Sequence, residues 1–439
     1  MKKHTDQIKR GGIKTILKKL ISLFFIFFQL ALYPVTFIIF IIIILIKPWY
    51  LIRWNTLHSS RIGHFALNTE LYCCERDANI NFPKQKYKDF FYLSKVISNK
   101  TLENMWRRNI IILPRWFLKP IHMTGNFFYS LLGTKNIHEI NSPACTDRDI
   151  YNLLEKFNPH ISFTEEEENK GEKTLEKFGL PINAKFVCLI VRDAGYLSRH
   201  DKDAGYLSRH DKTKKEGRWS YHNYRDADIE KFVMAAEELA SRGYYVFRMG
   251  INVLKPLKSS NPRIIDYANS KIRSDFMDMY LGAKCSFCIS TACGFDAIPM
   301  TFRRPVAFIT VPICAFATSM EKSLLLTRPH INKLTKKELS ISEIFSSNAA
   351  RTFIDENFKK NNIELKENTS EEIRDLAIEM DERVNRNWKE EDEDIKLQQV
   401  FWSIFEKNIN NLYHEGGTHG KIKAKFSAKY LRDNKDWVK

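Results

Sequence analysis

Two hydroxyls and a glycine, Ser290, Thr291 and Gly294, lie between an apolar run of strand length at 285–289 and a short helical pattern at 295–300. A strand that passes through such a turn into a helix aims unpaired backbone N–H groups and the positive helix end at one point, which suits a phosphate. Arginines close other strand-length runs. Arg192, followed by Asp193, ends the run 186–191, and Arg248 lies in the run 244–249. Arg225 belongs to the aromatic block 219–226, with Tyr221, His222 and Tyr224. Guanidinium groups at strand ends face the ligand side of a parallel sheet, and as a set they neutralise a diphosphate leaving group without a metal. Asp275, at the start of a later helix, completes this half. In the first half the candidates are Arg61, His64 and Glu70, with His64 or Glu70 as the base that deprotonates an acceptor hydroxyl. Each residue taken singly has a plain alternative: a helix cap for His64, a surface charge for Glu70, an ion pair for Arg248.

The elements that must position these groups alternate between strand and helix. Residues 48–54 read as an aromatic strand, followed by a glycine-containing loop and a helix at 65–74. Strands are expected at 89–93 and 110–113 with a helix at 101–108 between them, while 117–170 is poorly patterned. From 186 onward, strands at 186–191, 244–249, 263–267, 285–289 and 305–309 alternate with helices at 229–242 and 274–282. Short connections between them predict a parallel sheet. Asp226-Ala-Asp228 precedes a helix rather than ending a strand, so capping is the better reading than metal binding. Residues 193–202 are repeated identically at 203–212, as a duplication within a loop would leave them. The acidic run 389–394 reads as a solvated surface between two helices, and the basic tail 414–439 as either folded back or lipid-facing.

The chain has 439 residues, 44% hydrophobic and 13% aromatic, enough for two domains and a sizeable core. Its net charge of +17 calls for an anionic partner. Seven basic residues (Lys2, Lys3, Lys9, Arg10, Lys14, Lys18, Lys19) directly precede an uncharged, apolar run of 27 residues at 20–46, which makes an anionic membrane one such partner. Pro34 in mid-run favours a re-entrant hairpin or kinked segment with both ends cytoplasmic over a straight span. The eight cysteines are scattered, several within apolar runs, as expected of reduced core residues rather than a disulfide framework or a zinc site. No P-loop, G-x-G-x-x-G, G-x-S-x-G or H-E-x-x-H motif occurs, and no continuous basic face with stacking aromatics points to nucleic acid.

Arg61-Ile-Gly-His64 with Glu70, the block 221–226, Arg248-Met-Gly250, residues 263–266 and 273–278, Gly294-Phe-Asp-Ala-Ile-Pro299 and the tail residues 428–432 together resemble a family of bacterial glycosyltransferases of surface-polysaccharide or lipopolysaccharide loci. The resemblance covers about residues 48–439. It implies a GT-B-like fold in which Ser290, Thr291 and Gly294 contact the donor diphosphate with Arg248 beside it. The duplicated loop departs from the family pattern, as does Ala292-Cys293 where glycine or serine is more usual.

The expected architecture is therefore α/β, with two Rossmann-like lobes and an N-terminal membrane-associated segment. Its parts are 1–47, an acceptor lobe at 48–180, a nucleotide-sugar donor lobe at 181–350, and C-terminal helices with a basic tail at 351–439. The expected activity is transfer of a sugar from a nucleotide-sugar to a lipid-linked or lipopolysaccharide-type glycan at the inner membrane, the lobes facing the cytoplasm, with neither cofactor nor metal. A nucleotide-sugar epimerase of the same fold and a non-catalytic membrane-tethered binding protein are the alternatives.

Overall fold

The structure, a computed structural model, describes residues 33–140, 148–193, 195, 224–409 and 419–438. Residues 20–32 of the apolar run, most of the duplicated loop, Tyr221 and His222 lie outside the described residues. The chain forms two compact units. Residues 1–60, 81–97 and 106–142 make one, and 61–80, 98–105 and 143–439 the other. These limits differ from the consecutive lobes expected, because the helix carrying His64 and Glu70 groups with the larger unit.

In the smaller unit, β1 (Leu51–Leu57) pairs in parallel with β2 (Tyr87–Leu93). Single parallel bridges place Glu139 beside Trp54 and Ile112 beside Phe91. Arg53 and Asp89 are direct cross-strand neighbours and form a two-pronged ion pair at 2.8 and 2.7 Å. Trp54 is fully buried, stacks on His138 at 5.1 Å and packs with Phe40, Tyr92, Leu118 and Ile121. Residues 33–46 are helical, with Pro34 inside that stretch. The poorly patterned segment contains a 17-residue helix, Arg115–Leu131, whose interior Pro120 obscures it in sequence. No helix among the described residues is long and apolar enough to cross a membrane.

The larger unit holds a seven-stranded sheet. Its strands are β3 (Phe186–Ile190), β4 (Tyr245–Met249), β5 (Ile264–Ile265), β6 (Cys288–Ser290), β7 (Val306–Thr310), β8 (Leu324–Thr327) and, after an antiparallel pair β9 (His330–Asn332) and β10 (Ile363–Leu365), β11 (Lys425–Phe426). The order is β5-β4-β3-β6-β7-β8-β11, with every neighbour parallel. Chain order runs outward from β3 through β4 to β5, then returns to the other side of β3 with β6. The topological switch therefore lies between β3 and β6, where open α/β sheets take ligands at the strands' carboxyl ends. The central strands are buried on both faces, which accounts for the continuous apolar runs Phe186–Ile190 and Val306–Thr310.

Local chemistry sets the helix starts. Ser274 accepts from the Met277 N–H at 3.2 Å and opens the helix Asp275–Lys284. Asp228 accepts from the Glu230 N–H at 3.2 Å, so the second aspartate of the D-x-D caps, as expected. The basic tail folds back: β11 extends the sheet beside β8. The acidic run is not wholly solvated, since Asp394 is buried and paired with Arg432 of that tail. Seven cysteines are described, all free thiols, and all but Cys293 are buried.

Candidate functional site

The turn after β6 is built by its own side chains. The Ser290 hydroxyl lies 3.0 Å from the Asp296 carboxylate and accepts from the Ala292 N–H at 3.0 Å. Asp296 also accepts from the Cys293 N–H at 2.9 Å. The Thr291 hydroxyl accepts from the Arg192 N–H at 2.8 Å, and the Thr291 N–H donates to the Ile190 carbonyl at 3.1 Å, so Thr291 joins the ends of β3 and β6. Both hydroxyls are buried. In this structure both side chains shape the turn. The helix that follows, Ala297–Thr301, has only five residues, too short for the helix end to be the main source of positive potential.

Ala292 has a φ of +61°, the left-handed region that disfavours any Cβ. Relief of about 1–2 kcal/mol in Ala292→Gly is opposed by about 0.5–1 kcal/mol of backbone entropy and about 0.8 kcal/mol for the buried methyl. Denaturant unfolding should therefore find Ala292→Gly near neutral and Ala292→Val destabilised by about 2 kcal/mol. Equal stability of the two variants would contradict the strained turn.

Positive charge gathers around this turn. Arg192, at the end of β3, pairs with Asp226 at 2.7 Å. Arg225 donates to the Ala292 carbonyl at 3.3 Å. Arg328, just past β8, donates to three successive carbonyls, those of Tyr224, Arg225 and Asp226, at 2.9, 3.2 and 2.7 Å. Arg248, at the end of β4, is 1% exposed, 3.2 Å from Asp266 and 3.7 Å from Asp193. Asp193 in turn accepts from the Gly195 and Leu254 N–H groups at 2.9 and 2.8 Å. Four guanidinium groups here stand among five carboxylates (Asp193, Asp226, Asp266, Asp296 and Glu367). Burial, and then the like charge of Arg225, holds Arg192 below its ordinary range. Burial also raises Asp226 despite the opposing pull of Arg192. The Arg192 shift describes a dehydrated cation repelled by Arg225, which an anion would relieve, whereas the Asp226 shift reflects burial. The Nε of Arg225 has no acceptor among the described residues.

Four further candidate residues have partners of their own. Arg248 is enclosed by Asp266 and Asp193 and through them ties β4 to the Asp193 turn. Asp275 accepts from the Lys100 N–H at 2.9 Å, and its carbonyl accepts from Asn99 at 2.8 Å, which ties segment 98–105 to the Asp275–Lys284 helix. Tyr224 is buried with its ring 5.3 Å from that of Phe358, so it does not present itself to an acceptor. Glu70 is fully buried, 2.6 Å from Arg303 and 3.0 Å from His160, and no carboxylate oxygen faces open space. That geometry removes it as a general base.

Arg61 and His64 fare differently. They flank Gly63 at the start of the helix Ile62–Asp77, Arg61 exposed and His64 half-buried. A Cβ on Gly63 would lie 3.0 Å from the Gly294 carbonyl oxygen, so the two glycines permit a backbone approach that carries Arg61 and His64 to the Thr291–Gly294 turn. The motifs Arg61–His64 and Gly294–Pro299, distant in sequence, meet here. Sequence reasoning missed Arg328, although it ends a strand-length apolar run as Arg192 does. It also missed Arg303 and His160, which sit outside any periodic segment.

Glu70, Cys74 and His160 bring one ligand atom each within 4.8 Å of one another, a spacing that admits a metal ion. Arg303 already fills this place, donating to Glu70, to the Cys74 sulfur at 3.7 Å and to the Phe157 and Asn158 carbonyls at 3.1 and 3.3 Å. Burial, followed by the charge of Glu70, pushes the Cys74 thiol far up, so no thiolate is at hand. The trio fits an ion-pair core better than a metal centre.

No protein-family model and no curated protein matches this chain. Among solved structures it is similar to a family 9 glycosyl transferase from Veillonella parvula, at 12% identity over 63% of this chain and 85% of that one, with a TM-score of 0.37. It is similar also to the E. coli ADP-heptose lipopolysaccharide heptosyltransferase II, at 9% identity over 63% of this chain and 90% of that one, with a TM-score of 0.37. A second E. coli heptosyltransferase, solved with ADP, is 11% identical over 71% of this chain and 99% of that one, with a TM-score of 0.28.

Proposed function

We propose that the protein is a metal-independent glycosyltransferase that binds a nucleotide-sugar where β3 and β6 end and moves the sugar to a lipid-linked or lipopolysaccharide-type glycan. The observation that carries this reading is the position of Arg192 and Arg225. They flank the topological switch point and are joined to the turn through Thr291 and Ala292. A diphosphate there gains two guanidinium contacts, and the same contacts strengthen as the glycosidic bond breaks and charge builds on the leaving phosphate. Arg328 is a positioning residue, since it fixes the backbone that carries Arg225 and Asp226. His64 is the remaining candidate for the base that takes the acceptor's proton, and Arg61 the remaining candidate to bind the acceptor. We place the reaction at the cytoplasmic face of the inner membrane, as a lipid-borne acceptor requires.

A thermal-shift screen of the full chain in detergent against UDP-, GDP-, CMP-, dTDP- and ADP-sugars tests the reading. ADP is included because E. coli heptosyltransferases are described with it. A matching nucleotide at 100 times its Kd adds about 2.7 kcal/mol to stability and should raise Tm by several degrees. If none of the five raises Tm, the donor-site reading fails.

A further inference from the structure

Among the described residues, the smaller unit carries an apolar face that no other element covers. On the 33–46 helix, Thr36, Phe40 and Ile43 turn inward. The outward positions Val35, Phe37, Ile38, Ile42 and Leu45 are all apolar, with Ile38 60% and Leu45 65% exposed. A helix on a water-facing surface puts polar residues there; one that is apolar all round meets hydrocarbon. A second helix extends the same face. On Arg115–Leu131 the residues Trp116, Met123, Phe127 and Leu131 recur at 7, 4 and 4 residues and are exposed, Phe127 to 68% and Leu131 to 71%. The two helices are neighbours: the Tyr33 hydroxyl is 3.9 Å from the Met123 sulfur, and Phe40 meets Phe128 edge-on at 5.6 Å.

Two observations say what covers this face. The 33–46 helix is the end of the uncharged 20–46 run, which follows seven basic residues in the first nineteen. Basic residues then gather at the start of the second helix, where burial and the like charges of Arg115 and Lys95 hold the Lys119 ammonium below its ordinary range. Apolar side chains beside a dehydrated cationic cluster complement an anionic bilayer, in which acyl chains lie next to phosphate headgroups.

We infer that the 33–46 and Arg115–Leu131 helices lie side by side in one leaflet of an anionic membrane, with Phe127 and Leu131 among the acyl chains and Arg115 and Lys119 at the headgroups. Neither helix crosses. The smaller unit is thus monotopic, held by a second element 70 residues beyond the N-terminal apolar run. This inference does not depend on the transferase reading.

The test places a nitrobenzoxadiazole probe on Phe127→Cys in the full chain, bound to phosphatidylglycerol–phosphatidylethanolamine vesicles. Six of the seven described native thiols are buried, and the unsubstituted protein carried through the same labelling supplies the background. Phe127 is exposed, so the substitution leaves the fold intact, which circular dichroism verifies. Quenching by brominated acyl chains, with protection from aqueous iodide, is expected. Iodide quenching while the protein floats with the vesicles would overturn the inference. Protection from both quenchers would also overturn it, because the face would then be covered by a second copy or by residues 1–32. In the same system Lys119→Gln should lower partitioning into anionic vesicles about fivefold, with little change on neutral ones.

Discussion

Arg192→Ala is expected to weaken nucleotide-sugar binding about 30- to 100-fold and to reduce transfer at least as much. Losing a charge-assisted contact to phosphate costs roughly 2–3 kcal/mol. Contacts that strengthen with leaving-group charge weigh more in kcat than in KM. Structure complicates the reading, because Arg192 also neutralises Asp226 at 2.7 Å, and burial already raises that carboxyl. Arg192→Ala therefore leaves a half-buried carboxylate unpaired, and part of any loss reflects that. Asp226→Asn separates the two effects. It keeps the acceptor oxygen and removes the charge that competes for Arg192, so affinity should hold or improve. Calorimetric titration of both variants with the nucleotide found by screening measures this. A folded Arg192→Ala protein with unchanged Kd would sink the assignment, as would an Asp226→Asn variant that fails to bind.

How much of this was legible in the sequence depends on how each element signals itself. Buried parallel strands such as β3, β4 and β7 appear as unbroken apolar runs bounded by polar residues, and they were found within one or two residues. β8 has the same composition, yet lies where the helix–strand alternation loosens, and with it Arg328 went unseen. The Ser290–Gly294 turn was recognised, but not the partners of its hydroxyls. Sequence shows that hydroxyls stand at a strand end; only coordinates show that Asp296 and the Arg192 N–H hold them. Arg192 and Arg248 look alike in sequence, each at the end of an apolar strand. They differ because Asp266 and Asp193 enclose one guanidinium, and those carboxylates come from elements that follow the sheet by different routes. The meeting of Gly63 with Gly294 joins segments more than 200 residues apart, a contact no local pattern encodes.

Arg303 is expected to be among the residues most costly to remove from the larger unit, although it lies outside the proposed donor site. Its guanidinium spans Glu70, Cys74 and two backbone carbonyls, and it is the closer of two cationic partners to a carboxylate that is 0% exposed. Taking one partner from a buried pair strands the other charge, at a cost of about 3–5 kcal/mol. Alanine is the right probe because Arg303 has a φ of +60°. Alanine keeps the left-handed strain, whereas glycine would mix its relief into the measurement. Glu70→Leu combined with Arg303→Met should recover most of the loss, since apolar replacement of a whole buried pair is close to neutral. The pH dependence supplies a second readout through His160, which lies 3.0 Å from both Glu70 and Asp77. Burial alone would lower its pKa, but hydrogen bonds and charge from Glu70, then Asp77, hold it above the ordinary value of 6.5. The folded state then binds more protons than the unfolded one above pH 6.5, so this contribution is complete below that pH and fades as pH rises through the folded value. Without Arg303, His160 is the cation left beside Glu70, and the fall in stability above pH 6.5 should steepen. Urea unfolding of wild type and Arg303→Ala at several pH values measures both effects. A loss under about 1 kcal/mol with an unaltered pH slope would mean that Arg303 is not the cation that holds the buried carboxylate.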